Sequence, residues 1–318
     1  MKRFTDQPLL QVTRYLKERA DRSANGDVFA IEACRPELKG NRNEGSLVAL
    51  GGLLVRARSI RAWADLAETI GCRLLTPLPT DDSWMKLSFQ KIESQSSWHD
   101  APTVSVTEKY GVDSLFADID KREDPSFLDG FSKSLTLVGL KANDSVLNLG
   151  INTGDEFALL RDLLPQALFD SLQLVGVDHC ESAVAYARRR FSEENVQFVC
   201  GDINRLEALS LDVRFALIIS IGTLQSPGIE SKRVFMSLIQ DRLAARGSVI
   251  FGFPNCRYVD GEIVYGAKIK NYCEPDLSLL IKDIHFAKKY LQQHRFTVRI
   301  FGKDYLFMAG VRYCRQNC

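Results

Sequence analysis

At 318 residues, with 45% apolar and 25% charged residues, the chain has material for one large domain or two of medium size. Its 41 Lys/Arg against 40 Asp/Glu leave a net charge of +1, and residues 1–110 (16 against 14) are hardly more basic than residues 111–318 (25 against 26). That balance excludes a polycationic nucleic-acid coat, though it permits local basic patches.

Residues 8–20 ("PLLQVTRYLKERA") carry a helical apolar spacing, and 27–34 ("DVFAIEAC") have the alternation of a strand. A polar glycine-containing loop (35–45) leads to the apolar "SLVALGGLLVRA" (46–57), a helix over 59–70, and "RLLTPLP…WMKLSFQKI" (73–92). "SQSSWHDAPT" (94–103) resembles a linker, so residues 1–105 are expected to form a small N-terminal α+β domain and 106–318 a second domain.

From residue 145 onward, strand and helix alternate. "SVLNLG" (145–150) is a strand and "DEFALLRDLLP" (155–165) a helix closed by Pro165; "LQLVGVD" (172–178) and "ESAVAYARRRF" (181–191) repeat the pair, with Arg188 to Arg190 on the solvated side. "VQFVCGD" (196–202) and "FALIISIG" (215–222) are strands, 231–244 a helix and 248–254 a strand. A long insertion (255–276) precedes a helix over 276–294 and a hairpin made of 296–302 and 305–313. Consecutive strand–helix units need crossovers, so the sheet is expected to be doubly wound and mainly parallel. The closing hairpin adds an antiparallel C-terminal strand, for a seven-stranded α/β sheet. Continuous apolar strands such as "FALIIS" fit burial on both faces.

The eight cysteines (34, 72, 180, 200, 256, 273, 314, 318) are scattered without a C-x-x-C pair, and the four histidines (99, 179, 285, 294) form no cluster with metal-ligand spacing. No apolar run approaches the ~20 residues that span a bilayer. With no signal-peptide pattern in "MKRFTDQPLL", the expectation is reduced thiols, no metal, no membrane partner and a soluble cytoplasmic protein.

The turn in "SVLNLGINTGDEFALL" (145–160) invites a nucleotide reading, but both phosphate versions fail. A dinucleotide fingerprint beginning at Gly150 needs glycines at 152 and 155, where Asn152 and Asp155 stand. A P-loop needs Gly-Lys-Ser/Thr, and this turn continues Gly-Asp-Glu. Asp155 and Glu156 place negative charge where a phosphate would sit, and so favour a ligand that is phosphate-free and positively charged.

With these residues in view, 145–313 resembles a class I S-adenosylmethionine-dependent methyltransferase. The family's first motif, an acid followed by G-x-G-x-G, reads here Asn148-Leu149-Gly150-Ile151-Asn152-Thr153-Gly154. Asn152 replaces the middle glycine and tolerates left-handed angles better than most residues; Asn148 replaces the leading acid. Asp178 ends the second strand, 24 residues after Gly154, where the family's acid accepts from both ribose hydroxyls. The resemblance implies cofactor contacts from Asn148, Gly150, Asn152, Gly154, Glu156, Asp178 and His179. It adds Asp202 and Ile203 beside the adenine, and Ile221, Gly222, Thr223 and Leu224 near the sulfonium. Tyr110 and Phe116, in residues 107–135 before the first strand, are candidates for covering the methionine end or the substrate; the same segment reads as an ordinary amphipathic helix on the sheet, the favoured reading of the two.

Methyl transfer from a sulfonium is an in-line displacement, and only an acceptor that must lose a proton needs a base. "SIGTLQSPG" (220–228) matches neither the N/D-P-P-Y/F loop of adenine or glutamine N-methylation nor the Pro-Cys of cytosine C5 chemistry. The catalytic candidates are Gln225, Tyr258 and Tyr265 in loops and His285 in the following helix; each also has a structural reading, as a cap, an aromatic staple or a surface residue. The insertion 255–276, with Tyr258, Tyr265, Tyr272, Asp260, Glu262, Lys268 and Lys270, reads equally as a substrate lid and as a solvated loop. The leading expectation is O- or N-methylation of a small molecule or conjugate. An RNA, in particular tRNA, methyltransferase gripping its substrate with Arg56, Arg58, Arg61 and Arg73 is the alternative, and a non-catalytic S-adenosylmethionine-binding regulator a second. A homodimer is left open.

Overall fold

The computed structural model describes residues 1–93, 107–209, 211, 213–267 and 276–313. The linker expected over 94–103, with His99, Lys268, Lys270, Tyr272, Cys273, Cys314 and Cys318, therefore lies outside the described residues. The chain divides into two units, one of residues 1–100 with 258–264, the other of residues 101–257 with 265–318.

In the first unit β1 (Lys2–Arg3), α1 (Leu9–Asp21), β2 (Val28–Cys34), β3 (Ser46–Leu50), β4 (Leu53–Ala57), α2 (Ile60–Thr69), β5 (Cys72–Leu74), β6 (Leu78–Pro79) and β7 (Trp84–Lys91) follow one another. One sheet has the order β1-β2-β7-β5, with β6 also on β7. Val12, Leu16 and Ala20 recur every four residues along α1 and are all buried, in a core with Ile31, Trp63, Leu87 and Phe89. The Ser59 hydroxyl accepts from the Ala62 amide at 3.2 Å and starts α2. The apolar stretch 46–57 is a hairpin: Gly51 (φ 54°) and Gly52 (φ 84°) supply the two left-handed residues of the tight turn between β3 and β4.

The arginines expected to form a basic patch are largely spent inside this unit. Arg58 is 4% exposed and donates to the Gln7 carbonyl (2.9 Å), and Arg56 donates to the carbonyls of Asp6 and Gly45 (2.7 and 3.0 Å). Arg73 pairs with Asp260 (2.7 Å) and Glu262 (3.4 Å), while Arg61 alone stands in solvent beside Asp65. Counting arginines overstated the patch because guanidinium groups cap carbonyls as readily as they bind phosphates.

The second unit holds α3 (Pro125–Val138), β8 (Ser145–Leu149), α4 (Asp155–Leu163), α5 (Gln166–Ser171), β9 (Gln173–Asp178), α6 (Glu181–Arg190), β10 (Val196–Cys200), β11 (Phe215–Ile221), α7 (Ser231–Ser237) and β12 (Leu243–Pro254). After β13 (Cys256–Val259) and β14 (Glu262–Tyr265), which carry the tip 258–264 in the first unit, come α8 (Ser278–Gln293), β15 (Phe296–Gly302) and β16 (Tyr305–Arg312). The sheet order is β10-β9-β8-β11-β12-β16-β15, parallel from β10 to β12 and antiparallel at β16. The chain reverses direction across the sheet between β8 and β11, and in such open sheets the crevice at the strands' carboxyl ends there takes the ligand. β11 is buried on both faces, as its unbroken apolar run requires.

Two local expectations change. The helix after β8 stops at Leu163, because Pro165 disfavours helical angles before it, and a second short helix, α5, follows. The helix expected over 231–244 ends in a wide turn at 238–242, and β12 begins at Leu243 rather than 248. Arg242 donates there to the carbonyls of Leu206 (2.9 Å) and Leu211, which pulls the chain out of the helix. Residues 107–135, read both as a cover for the ligand and as an amphipathic helix on the sheet, lead into α3, which carries strong local signals. Asp124 caps it, Pro125 opens it, and Gly139 (φ 61°) closes it. Among the described residues no helix is long and apolar enough to cross a membrane, and no group of three or more His, Cys, Asp or Glu could hold a metal ion.

Candidate active site

The turn from β8 into α4 holds Gly150 (φ 72°), Asn152 (φ 47°) and Gly154 (φ 94°), three left-handed residues in five. Only glycine and, less freely, asparagine accept such angles. A Cβ on Gly150 would overlap the Thr223 side chain, and one on Gly154 the Phe191 ring. Asn152 does more than bend: its amide N–H donates to Asp178 Oδ2 (2.9 Å), its Nδ2 to the Tyr110 carbonyl (2.7 Å), and its Oδ1 accepts from the Thr153 amide (2.8 Å). A glycine could not make the last two bonds, so the departure from G-x-G-x-G fastens the segment before α3 onto the turn.

Asp178, at the end of β9, is buried, and its Oδ1 accepts from the Cys180 amide at 2.9 Å. One backbone amide thus fixes each carboxylate oxygen, and each keeps a second lone pair. His179 beside it is exposed, with its ring edge-on to Tyr110 at 6.2 Å; Tyr110 in turn meets Phe116 edge-on at 5.3 Å. Burial pushes the Tyr110 hydroxyl up, offset in part by Ser226. Glu108, in the same 3-10 turn, accepts from the Ser182 hydroxyl at 2.5 Å, which holds its carboxylate below the usual range. Asp202 is exposed and caps the turn 203–208 by accepting from the Asn204 amide (2.8 Å), with Ile203 buried behind it.

On the other side of β8, Ile221 and Leu224 are buried, the Gly222 amide donates to the Gly252 carbonyl (2.9 Å) and Thr223 Oγ1 to the Leu149 carbonyl (3.0 Å). The predicted cofactor residues thus gather at the carboxyl ends of β8, β9, β10 and β11, on either side of the reversal point.

The two acids named in the turn have partners remote along the chain. Glu156 is 3% exposed, beside Asn148, which is fully buried and has no hydrogen-bond partner for either Nδ2 or Oδ1. Lys121 Nζ lies 3.7 Å from Glu156 Oε1. Burial pushes the Glu156 carboxyl up, against Lys121 and the facing Asn148 amide, which pull it down. Asp155 at the mouth of α4 pairs with Arg190 (2.7 Å) and Arg122 (3.6 Å). Arg190 also donates to the Thr153 carbonyl (3.1 Å). This corrects the reading of Arg190 as a solvated residue: its length lets it curl back over the turn. Lys121 gave no sequence signal, since it precedes β8 by more than twenty residues and meets Glu156 only through the fold.

Of the catalytic candidates, Gln225, Tyr265 and His285 fall on separate elements of the second unit. Gln225 is exposed on the rim of a depression lined by Leu224, Lys232, Phe235, Phe253, Asp283 and Phe286. His285 lies exposed on α8, outside that lining. Tyr265 is 45% exposed and its carbonyl accepts from Arg257 (3.3 Å); Tyr258 belongs to the first unit. Burial pushes the Asp283 carboxyl up and Lys232 partly offsets this, while the Lys232 ammonium lies 5.2 Å from the Phe286 ring centre. Asp283 and Lys232 are groups that the sequence reading did not single out.

The donor set suits S-adenosylmethionine. The Asp178 carboxylate is fixed for hydroxyls, and no lysine follows Gly154 in the turn as a phosphate loop would require. A family model described as a methyltransferase domain matches residues 146–247. A malonyl-[acyl-carrier protein] O-methyltransferase from Acetivibrio thermocellus is 35% identical over 85 residues, 27% of this chain and 27% of that protein. A protein of the same name from Bacillus anthracis is 37% identical over 86 residues, 26% of this chain and 29% of that one. The chain therefore matches less than a third of the length of these curated relatives. Among solved structures, a magnesium protoporphyrin IX methyltransferase from Synechocystis with bound S-adenosylmethionine is 16% identical, covering 68% of this chain and 88% of that one at a TM-score of 0.40. The domain that residues 146–247 anchor belongs to the class I S-adenosylmethionine-dependent methyltransferases.

Proposed function

We propose that this protein transfers the methyl group of S-adenosylmethionine to an oxygen or nitrogen of a small molecule or of a carrier-bound conjugate. The observation that carries this reading is the aromatic-lined depression beside Gln225, opening from the loop that follows β11. Bound S-adenosylmethionine supplies an electrophilic methyl on a positively charged sulfur. The chain's task is then to hold the adenosyl part, seat the acceptor and exclude water. Asp178, Asp202 and Ile203 take the adenosine side; Gly222, Thr223 and Leu224 border the reacting end.

In the depression, Phe235, Phe253 and Phe286 offer an apolar wall, Lys232 a cation for an anionic acceptor, and Asp283 a carboxyl held above its ordinary range. A carboxylate acceptor needs no base, whereas an amine or hydroxyl has to lose a proton, for which a raised carboxyl is the better suited partner. The names of the partial relatives, O-methyltransferases of an acyl group on a carrier protein, support the acidic conjugate among these acceptors.

The test is methyl transfer from labelled S-adenosylmethionine to a panel of carboxylic acids, thioester-linked acids, phenols and amines. Transfer to at least one class, with Lys232→Ala raising KM for acids more than it lowers kcat, supports the reading. Tight cofactor binding without transfer to any class would point to a regulator instead. Asp178→Ala should weaken cofactor binding by about 1.5–3 kcal/mol, the worth of charge-assisted hydrogen bonds; calorimetry showing full affinity would remove Asp178 from the site.

A further inference from the structure

One flank of α8 walls the depression, and another faces solvent. Asp283, Phe286 and Ala287 line the depression, while Lys282, His285, Lys288 and Lys289 are exposed. At 3.6 residues per turn these four fall within one arc of about 120°. Ile281, 61% exposed, lies in the same arc. The arc holds no acid: Asp283 is the one acid of α8, and it sits on the flank turned to the depression. Glu230 and Asp276 beside the helix are already engaged, the first by Arg233 (2.6 Å) and the second by the Ser278 amide (2.8 Å).

These lysines do little for the helix that carries them. An exposed lysine steadies a helix through an acid three or four residues away, or from the last turn, where it meets the negative end of the macrodipole. No Asp or Glu stands at either spacing from Lys282, Lys288 or Lys289, and the last turn of α8 has no basic residue. Three like charges on one face add mutual repulsion. Such a face gains most from an oppositely charged partner, and the exposed Ile281 among the lysines gives that partner an apolar contact. Lys282 and Lys289, two turns apart, are about 10 Å from each other along the axis, a spacing that carboxylates two turns apart on a second helix would match. A nucleic acid would be met by arginine forks and stacking rings, and the arc has neither.

We propose that this arc of α8 docks an acidic stretch of a protein that bears the acceptor, and so delivers the acceptor to the depression on the neighbouring flank. This rests on the acceptor site proposed above and gives its partner a chemistry: carboxylate side chains around an apolar residue.

The test is fluorescence anisotropy on the purified full chain with three labelled probes: a helical peptide of Glu, Leu and Ala, its counterpart with Gln for Glu, and bulk tRNA. Wild type should bind the acidic peptide at least tenfold more tightly than the neutral one, and Lys282→Glu/Lys288→Glu/Lys289→Glu should lose at least tenfold of that affinity. Lys133→Glu/Lys141→Glu/Arg189→Glu, the same change of charge elsewhere in the second unit, should stay within twofold of wild type. The milder Lys282→Gln/Lys288→Gln/Lys289→Gln should also bind the acidic peptide more weakly, with an unchanged circular dichroism spectrum, which separates lost charge from a disrupted helix. Wild-type affinity in that variant overturns the proposal. Equal loss in the two charge-reversed variants overturns it as well, because the attraction is then diffuse, and so does a wild type without preference for the acidic peptide. Tighter binding of tRNA through the same three lysines gives the face to phosphate and overturns it too. Methyl transfer to small free acceptors should be unaffected by the lysine changes; its loss would place the lysines in the depression and not on a docking face. A wild type that transfers to no small acceptor removes the acceptor site itself, a result on which the peptide binding does not depend.

Discussion

At the scale of single residues, the site trades stability for charge. Glu156 has a carboxyl raised by burial, so the folded chain holds its proton more tightly than the unfolded chain does. Between the ordinary carboxylate value and the raised one, the native state binds more protons, and stability therefore falls as pH rises through that window. Above it the full cost of a buried charge is present. Glu156→Gln removes that cost while keeping shape, so the ligand-free variant should melt no lower than wild type at pH 8. Its advantage should shrink as the pH is lowered through the window. A melting curve at pH 8 with the variant clearly less stable would mean that the pairing with Lys121 outweighs desolvation. Cys256 shows the same physics in a thiol: burial, with Asp304 and Asp124 adding repulsion, pushes it to about 12. Peptide mapping after alkylation at pH 8 should find Cys256 unmodified in the native protein and Cys200, which is exposed, modified.

At the scale of elements, the turn between β8 and α4 is over-determined. Its amides are tied to Val177 and Asp178, its Asn152 side chain to Tyr110, and its Thr153 carbonyl to Arg190. Gly154→Val would place a branched side chain at φ 94° against the Phe191 ring, and both the strain and the overlap act on the native state alone. A loss of at least ~2 kcal/mol in denaturant unfolding is expected, together with weaker cofactor binding. Wild-type stability would mean that the turn relaxes without cost. The same region shows where local pattern was enough. Strand periods, the glycine and asparagine at left-handed positions, and the acid closing β9 are all encoded within a few residues of where they act. The early end of α7 was not, because the two carbonyls that capture Arg242 come from a loop some thirty residues upstream.

At the scale of the whole molecule, the chain leaves its first unit near residue 100 and returns to it for residues 258–264. Arg73 holds the returning tip: Nη2 donates to both the carbonyl and the carboxylate of Asp260 (2.6 and 2.7 Å), and Nη1 reaches Glu262. Ile92, Val259 and Val264 form a small apolar cluster in the same unit. Arg73→Ala should cost about 1 kcal/mol, given that both partners are partly exposed. Amide exchange should rise in 258–264 while β2 and β7 stay protected. Unchanged exchange at the tip would assign its hold to the apolar cluster alone.

By itself the sequence determined what depends on near neighbours: the alternation that makes a parallel α/β sheet, the hairpin that closes it, the left-handed turn, and a ligand bearing no phosphate. These follow from backbone sterics and from charges a few residues apart, which any local window contains. Only the tertiary structure decided which charges meet. It set Lys121 beside Glu156, folded Arg190 over the turn, spent Arg56, Arg58 and Arg73 inside the first unit, and put Asp283 and Lys232 in one depression. Such contacts join residues that are remote along the chain, and their energies depend on burial, a property that no stretch of sequence carries until the chain has closed around it.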